Sequence, residues 1–376
     1  MFNQKDTRKN EFMLTGSLRW KGYDWWWHSF TGRNAKTGEE QAFFIEFFVC
    51  NPALAEDEPV LGQLPENRAR GKRPSYLMVK AGAWGENGIQ LHRFFSLKDV
   101  NIRGKAPYRI SADDCYCSET VLKGNVDISE EEAAAHPEWM CDSGSIRWEL
   151  LLDKQTAFNV GYGTSPLLRF LKAFEMYWHA EGMKTGFTGT VWYNGEEYTV
   201  DPETCFGYAD KNWGRGFTSP WVWLSSNDLT SALTGERLTD SVFDIGGGRP
   251  KIYFVALDRK LLSAFWYEGT PYEFNFSKFW TLTRTKFDFR ETDEDVFWTV
   301  RQETTKAVME TEITCRKKDM VLVNYEAPDG SKRHNRLWNG GTGTGTIRLY
   351  EKQRGGPMLI DEIRAAHIGC EYGEYD

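Results

Sequence analysis

Between residues 41 and 50 the chain reads QAFFIEFFVC, an aromatic-rich run in which Glu46 is the one charged residue. Short apolar runs bounded by Gly, Asn and Asp clusters predict strands. The same reading predicts strands over residues 75–83, 145–152, 187–192, 251–257, 309–315 and 344–350. Residues 285–290 alternate polar and apolar, ETDED supplies a turn, and VFWTVRQ alternates again, giving a hairpin with one wet face. WYNGEEY (192–198) and WYEGTPY (266–272) share Trp-Tyr-x-Gly-x-x-Tyr and predict hairpins with glycine at the turn. Helix signals are few. Ser129 and Glu132 have capping-box spacing ahead of an alanine run. Residues 165–179 open with Pro166 and repeat Leu167, Leu168, Leu171, Phe174, Tyr177 and Trp178 at helical spacing. The whole pattern predicts a mainly β protein of the barrel or sandwich kind.

A length of 376 residues suits one large domain or two ordinary ones. The repeated hairpin motif fits two related β domains, 1–200 and 201–376. The aromatic share of 15% fits β structure and also apolar cavities. A net charge of −8 disfavours nucleic acid, which binds basic surfaces. No apolar run reaches the roughly 18 residues of a membrane span. The opening MFNQKDTRKNEFM lacks the apolar core of a secretory signal, so a cytoplasmic location is expected.

Seven scattered cysteines, an odd number, do not form a disulfide framework. Cys115 and Cys117 lie too close for the usual zinc pairing, and the histidines show neither HxH nor HExxH, so no metal is expected. The glycine runs at 246–250 and 339–346 lack the phosphate-loop pattern and are read as turns or close backbone packing. No GxSxG elbow occurs. The sequence therefore predicts no cofactor.

What remains is acid–base chemistry in FGYADKNWGRGFTSPWVWLSSN, residues 206–227. Asp210, Lys211 and Asn212 sit beside Trp213, Trp221 and Trp223. A carboxyl desolvated by indole rings holds its proton toward neutral pH, whereas an adjacent lysine keeps it ionised. Locally, a solvated polar turn fits the pattern equally well.

The run Tyr208-Ala209-Asp210-Lys211-Asn212-Trp213-Gly214-Arg215-Gly216-Phe217, then Trp221-Val222-Trp223 and Asn227, resembles the signature of the tocopherol cyclase family. DWWWHSF, FFIEFFVCNP, IRWEL, FEMYWH and Gly246–Gly248 resemble other family segments more loosely and in the same order. The resemblance implies two lipocalin-like antiparallel β barrels or curled sheets enclosing apolar ligand space, related to carotenoid hydratase-like proteins. It implies a cofactor-independent reaction in which an alkene of a prenylated quinol is protonated and the phenol oxygen captures the cation. On this chain Asp210 would be the acid, where plant members carry Glu, with Lys211 and Asn212 positioning it. Trp26, Trp178, Trp213, Trp221 and Trp223 would be pocket walls. His28, Glu46, Glu175 and His179 would be second-choice acid–base groups. The expected partner is a hydrophobic or phenolic small molecule. A lipocalin-like carrier without chemistry is the rival reading.

Overall fold

The computed structural model describes residues 2–160, 169–252, 255–258, 260–330 and 333–375. Strands dominate it and assemble into two large antiparallel sheets. The first collects the strands from Tyr23–Asn34 to Gly207–Gly214. Gly207–Gly214 and Glu196–Val200 lie end to end between Tyr23–Asn34 and Met176–Tyr193, each hydrogen-bonded to both, and this sheet curls into a small barrel. The second runs from Trp221–Ser226 to Gly356–Tyr375 and curls into a half-barrel.

Hydrophobic alternation locates most strands. The aromatic run is strand Glu40–Cys50, and the solvated hairpin is Arg284–Glu291 with Asp295–Glu303. Both repeated motifs are hairpins. Asn194 and Gly195 (φ 48° and 83°) and Glu268 and Gly269 (φ 41° and 81°) occupy the two left-handed positions of such a turn. The Ser129–Glu132 capping box is formed in both directions at helix Glu130–Ala135.

Three expectations need correction. Strand Met176–Tyr193 replaces the end of the helix expected over 165–179, and residues 165–168 lie outside the described ones. Its aromatic spacing mimics helical periodicity, yet pairing with Gly207–Gly214 sends Tyr177 and Trp178 to opposite faces. Of 251–257, only the two-residue strands Lys251–Ile252 and Val255–Ala256 form among the described residues. Of the two readings of the glycine runs, close packing holds and turns do not, since a Cβ would lie 2.4 Å from the Lys260 carbonyl at Gly247 and 2.1 Å from the Trp84 ring at Gly341. Gly246 to Gly248 end strand Val242–Gly248, and 339–346 lie within strand Arg333–Gln353.

Alternation divides each central strand between two cores. Trp26, Phe43, Phe47, Trp148 and Phe187 fill the barrel. Their neighbours Trp25, Trp27, Phe44 and Phe48 face the second sheet and pack with Trp221, Trp223 and Tyr325. Full burial of one such ring is worth roughly 2–3 kcal/mol. The barrel interior is thus packed with large side chains, and the space beside the signature strand lies between the two sheets.

A candidate acid site between the two sheets

Strand geometry decides where the signature residues point. Successive side chains alternate faces, so Asp210 and Asn212 enter the inter-sheet layer while Lys211 and Trp213 enter the barrel. Strand register extends the inter-sheet face into a row. Lys80 lies opposite Glu46, Glu46 opposite Trp27, and Trp27 opposite Asp210.

Asp210 is buried, and its Oδ2 accepts from Trp178 Nε1 at 2.8 Å and from the Tyr208 hydroxyl at 3.1 Å. The same hydroxyl lies 3.2 Å from Asp244 Oδ2 on the second sheet. Trp223 Nε1 donates to the Tyr208 oxygen (3.1 Å) and to Asp244 Oδ1 (3.2 Å). A phenol has one proton and can satisfy one carboxylate with it. With the other acid ionised, two lone pairs would face each other, and no cationic side chain pairs with either acid among the described residues. A proton kept by one carboxyl and donated to Tyr208 would remove that clash. Burial raises Asp210 well above the usual carboxylate range, and nearby Glu371 adds to this against the Trp178 and Tyr208 hydrogen bonds. Burial raises Asp244 likewise, with the charge of Asp210 as the next cause. Asp210 Oδ1 has no hydrogen-bond partner among the described residues.

Asn212 shares this face. Its amide oxygen accepts from Trp25 Nε1 (3.1 Å) and its nitrogen donates to the Tyr177 carbonyl (3.2 Å), which braces two aromatic strands. Glu46 belongs to the same layer, paired with Lys80 at 2.9 Å and accepting from the Tyr325 hydroxyl at 2.9 Å. Glu371 faces it from the second sheet and accepts from Trp221 Nε1 at 2.7 Å and from Asn339 Nδ2. Glu175 sits at the rim, raised by burial against the pull of Lys251 at 3.9 Å.

The remaining candidates belong to the barrel. Lys211 pairs with Asp24 at 2.8 Å and donates to the Glu11 carbonyl at 2.7 Å. It also lies over the rings of Trp26 and Trp213, at 4.4 and 5.2 Å. His179 Nε2 donates to Asn10 Oδ1 (2.8 Å), and burial holds this ring well below its ordinary pKa, with Lys211 adding to the effect. Burial, with Lys154, depresses His28 to about 3. Lys211, Trp26, Trp213, His28 and His179 thus brace the barrel and do not converge on Asp210.

An aromatic cleft reaches the layer from outside, walled by Val160, Phe174, Met176, Trp178, Trp221 and Leu262, with about 60 Å³ of room for water-sized groups. Trp178 separates it from Asp210. The glycine run explains how the rings fit. A Cβ on Gly246 would lie 2.8 Å from the Trp178 ring, and one on Gly369 would lie 2.2 Å from the Trp223 ring. Gly246→Val is therefore expected to lose about 1–3 kcal/mol of stability by overpacking and to displace Trp178 from Asp210. Urea unfolding and indole fluorescence check this. A variant as stable as the parent, with unchanged emission, would contradict it.

Sequence reading missed Tyr208, Asp244, Glu371, Tyr325 and Lys80. For Tyr208 the signal was present, two residues before Asp210 on the same strand face. Asp244 and Glu371 carry no local mark, because only the closure of the sheets brings them to the signature strand.

Fold and site together define a two-sheet lipocalin-like β protein whose inter-sheet layer holds buried acids among tryptophans. The chain belongs to the tocopherol cyclase-like family, whose model matches residues 118–374. A probable chloroplastic tocopherol cyclase of rice (Oryza sativa subsp. japonica) is 32% identical over 105 residues, or 27% of this chain. That match spans 20% of the rice protein. Among solved structures, an AttH-like protein of Nitrosomonas europaea superposes with a TM-score of 0.49 at 12% identity, covering 98% of this chain and 95% of that one. Kievitone hydratase of Nectria haematococca gives 0.45 at 13% identity, covering 94% and 89%.

Proposed function

We propose that the protein is a cofactor-independent cyclase or hydratase that protonates an alkene of an apolar prenylated or phenolic molecule. The observation that carries this reading is the buried pair Asp210 and Asp244, bridged by one phenol and with no cationic side chain paired to either among the described residues. Burial raises both acids above the usual carboxylate range, which favours a proton shared by the pair. In the reaction the acid O–H bond breaks as a C–H bond forms on the alkene, leaving a tertiary cation and a carboxylate. The ligand's own phenol oxygen, or a water, bonds to the cation and releases a proton, which restores the acid. No electrons are exchanged with a cofactor. Neighbouring indole faces stabilise the cation. Family membership and the name of the rice relative support the cyclase form.

The cleft is smaller than the roughly 300 Å³ of ordinary ligand sites, so a prenylated ring must part Trp178 and Trp221 to reach Asp210. The test is incubation with prenylated hydroquinones in D₂O, followed by mass spectrometry. Enzymatic protonation produces a cyclised or hydrated product with one deuterium on carbon. Recovery of bound but unchanged ligand would sink this reading and favour the carrier, whose aromatic walls are the same.

A further inference from the structure

We infer that Glu371 and the recess before it form a hydroxyl-recognition subsite, which takes the phenolic O–H of a ligand whose apolar body lies in the outer cleft. This rests on the reading that the cleft takes a small apolar molecule, and not on proton transfer from Asp210.

The recess offers about 20 Å³, room for about one water-sized group, and Glu371 forms part of its wall. Trp25, Phe217, Tyr325 and Leu337 line it as well. Met176, Thr218 and Trp221 border both the recess and the outer cleft, so the two spaces adjoin. A ligand entering from the cleft therefore meets apolar walls first and one carboxyl at the end.

That carboxyl has capacity to spare. Trp221 donates to one oxygen and Asn339 to the other, while a carboxylate offers about four lone-pair positions. Its setting is rigid. Asn339 accepts from Trp84 Nε1 at 2.7 Å, and Tyr325 is fixed by Glu46, with Lys80 3.9 Å above its ring. Trp25 and Tyr325 stack at 5.2 Å and 15°, which leaves a flat aromatic approach. Burial pushes Glu371 up to about 7, against the hydrogen bonds of Trp221 and Asn339. Above that pH it only accepts, so a phenol satisfies it and the corresponding methyl ether does not.

The probes are 4-propylphenol and its methyl ether, titrated against the full chain and followed by tryptophan fluorescence. At pH 8 the wild type is expected to bind the phenol about 10–100-fold more tightly than the ether, the range for a hydrogen bond to a buried charged group. At pH 6 the preference narrows, because a protonated Glu371 can donate to the ether oxygen. This comparison needs no variant. Glu371→Gln should bring the pH 8 ratio within about threefold of unity, whereas Asp210→Asn should leave it intact. A ratio near one in the wild type, a ratio retained in Glu371→Gln, or no saturable binding of either probe would overturn the subsite. Failure of turnover in D₂O with the hydroxyl preference intact would remove the acid reading alone.

Discussion

Asp210→Asn is expected to lower turnover of any substrate found for this protein by about 10²–10⁴-fold, the usual share of a positioned general acid. Ligand affinity should stay within about threefold. The substitution is nearly isosteric, and its amide oxygen can still accept from Trp178 and Tyr208. What it removes is the proton. Asp244→Asn should damage turnover as well, and the double variant should be little worse than the more damaged single one. Two carboxyls joined through one phenol hold their proton as a unit. The pH dependence follows from the direction of the shifts. Burial raises both acids, so the active protonated form persists below the folded pKa of the pair, and turnover is lost as pH rises through it. The same sign applies to stability. The contribution of the pair is full below the unfolded value near 3.8 and is lost as pH rises through the folded one. Steady-state rates, ligand titrations and a pH profile check these points. Turnover within threefold of wild type, or affinity lost together with turnover, would remove Asp210 from the chemistry.

Much of this was legible in the chain because a strand's code is local. Period-two alternation and Asn-Gly or Glu-Gly turns identified hairpins, and the Ser129–Glu132 spacing identified a helix. The signature marked a central strand of the first sheet, Gly207–Gly214. The same alternation made the residue-level reading incomplete. Asp210, Lys211 and Asn212 look like one cluster in the sequence, but the pleat turns Lys211 away to Asp24. Trp26 and Trp213 likewise face the barrel, although Trp178, Trp221 and Trp223 do reach the inter-sheet layer. The second acid, Asp244, was not legible. Tyr208 and Asp244 stand 36 residues apart, on different sheets, and no local pattern specifies how two sheets dock. The helix expected over 165–179 shows the converse error at Tyr177 and Trp178, where strand pairing overrides an apparent 3.6-residue period.

Lys154→Met should produce the largest loss of stability, about 3–5 kcal/mol at neutral pH. Lys154 Nζ is buried in the barrel, 3.0 Å from Glu181 Oε2 and 3.3 Å from Glu119 Oε1. Glu119 in turn accepts from Asn10 Nδ2 at 2.8 Å, and Asn10 is held by His179. Burial works to lower the lysine's pKa, but the two carboxylates outweigh it and raise it. Methionine fills similar volume, so the effect isolates the charge and not a cavity. Without the cation, Glu181 loses the interaction that lowers it and moves above its present value of about 7. A carboxyl raised in the folded state stabilises fully below its unfolded pKa near 4.5, and that contribution is lost as pH rises through the folded value. The wild type gains from its own raised Glu181 over the same range, so the deficit of Lys154→Met should narrow only slightly on acidification from pH 7 to 5. Adding Glu181→Gln, which removes the carboxyl left without its cation partner, should restore part of the stability at pH 7. Urea unfolding at both pH values measures all three quantities. A loss under about 1 kcal/mol would mean that the barrel does not depend on this buried ion cluster. The inter-sheet site would then rest on packing alone, because the strand carrying Asp210 toward the second sheet carries Lys211 into the barrel beside these charges.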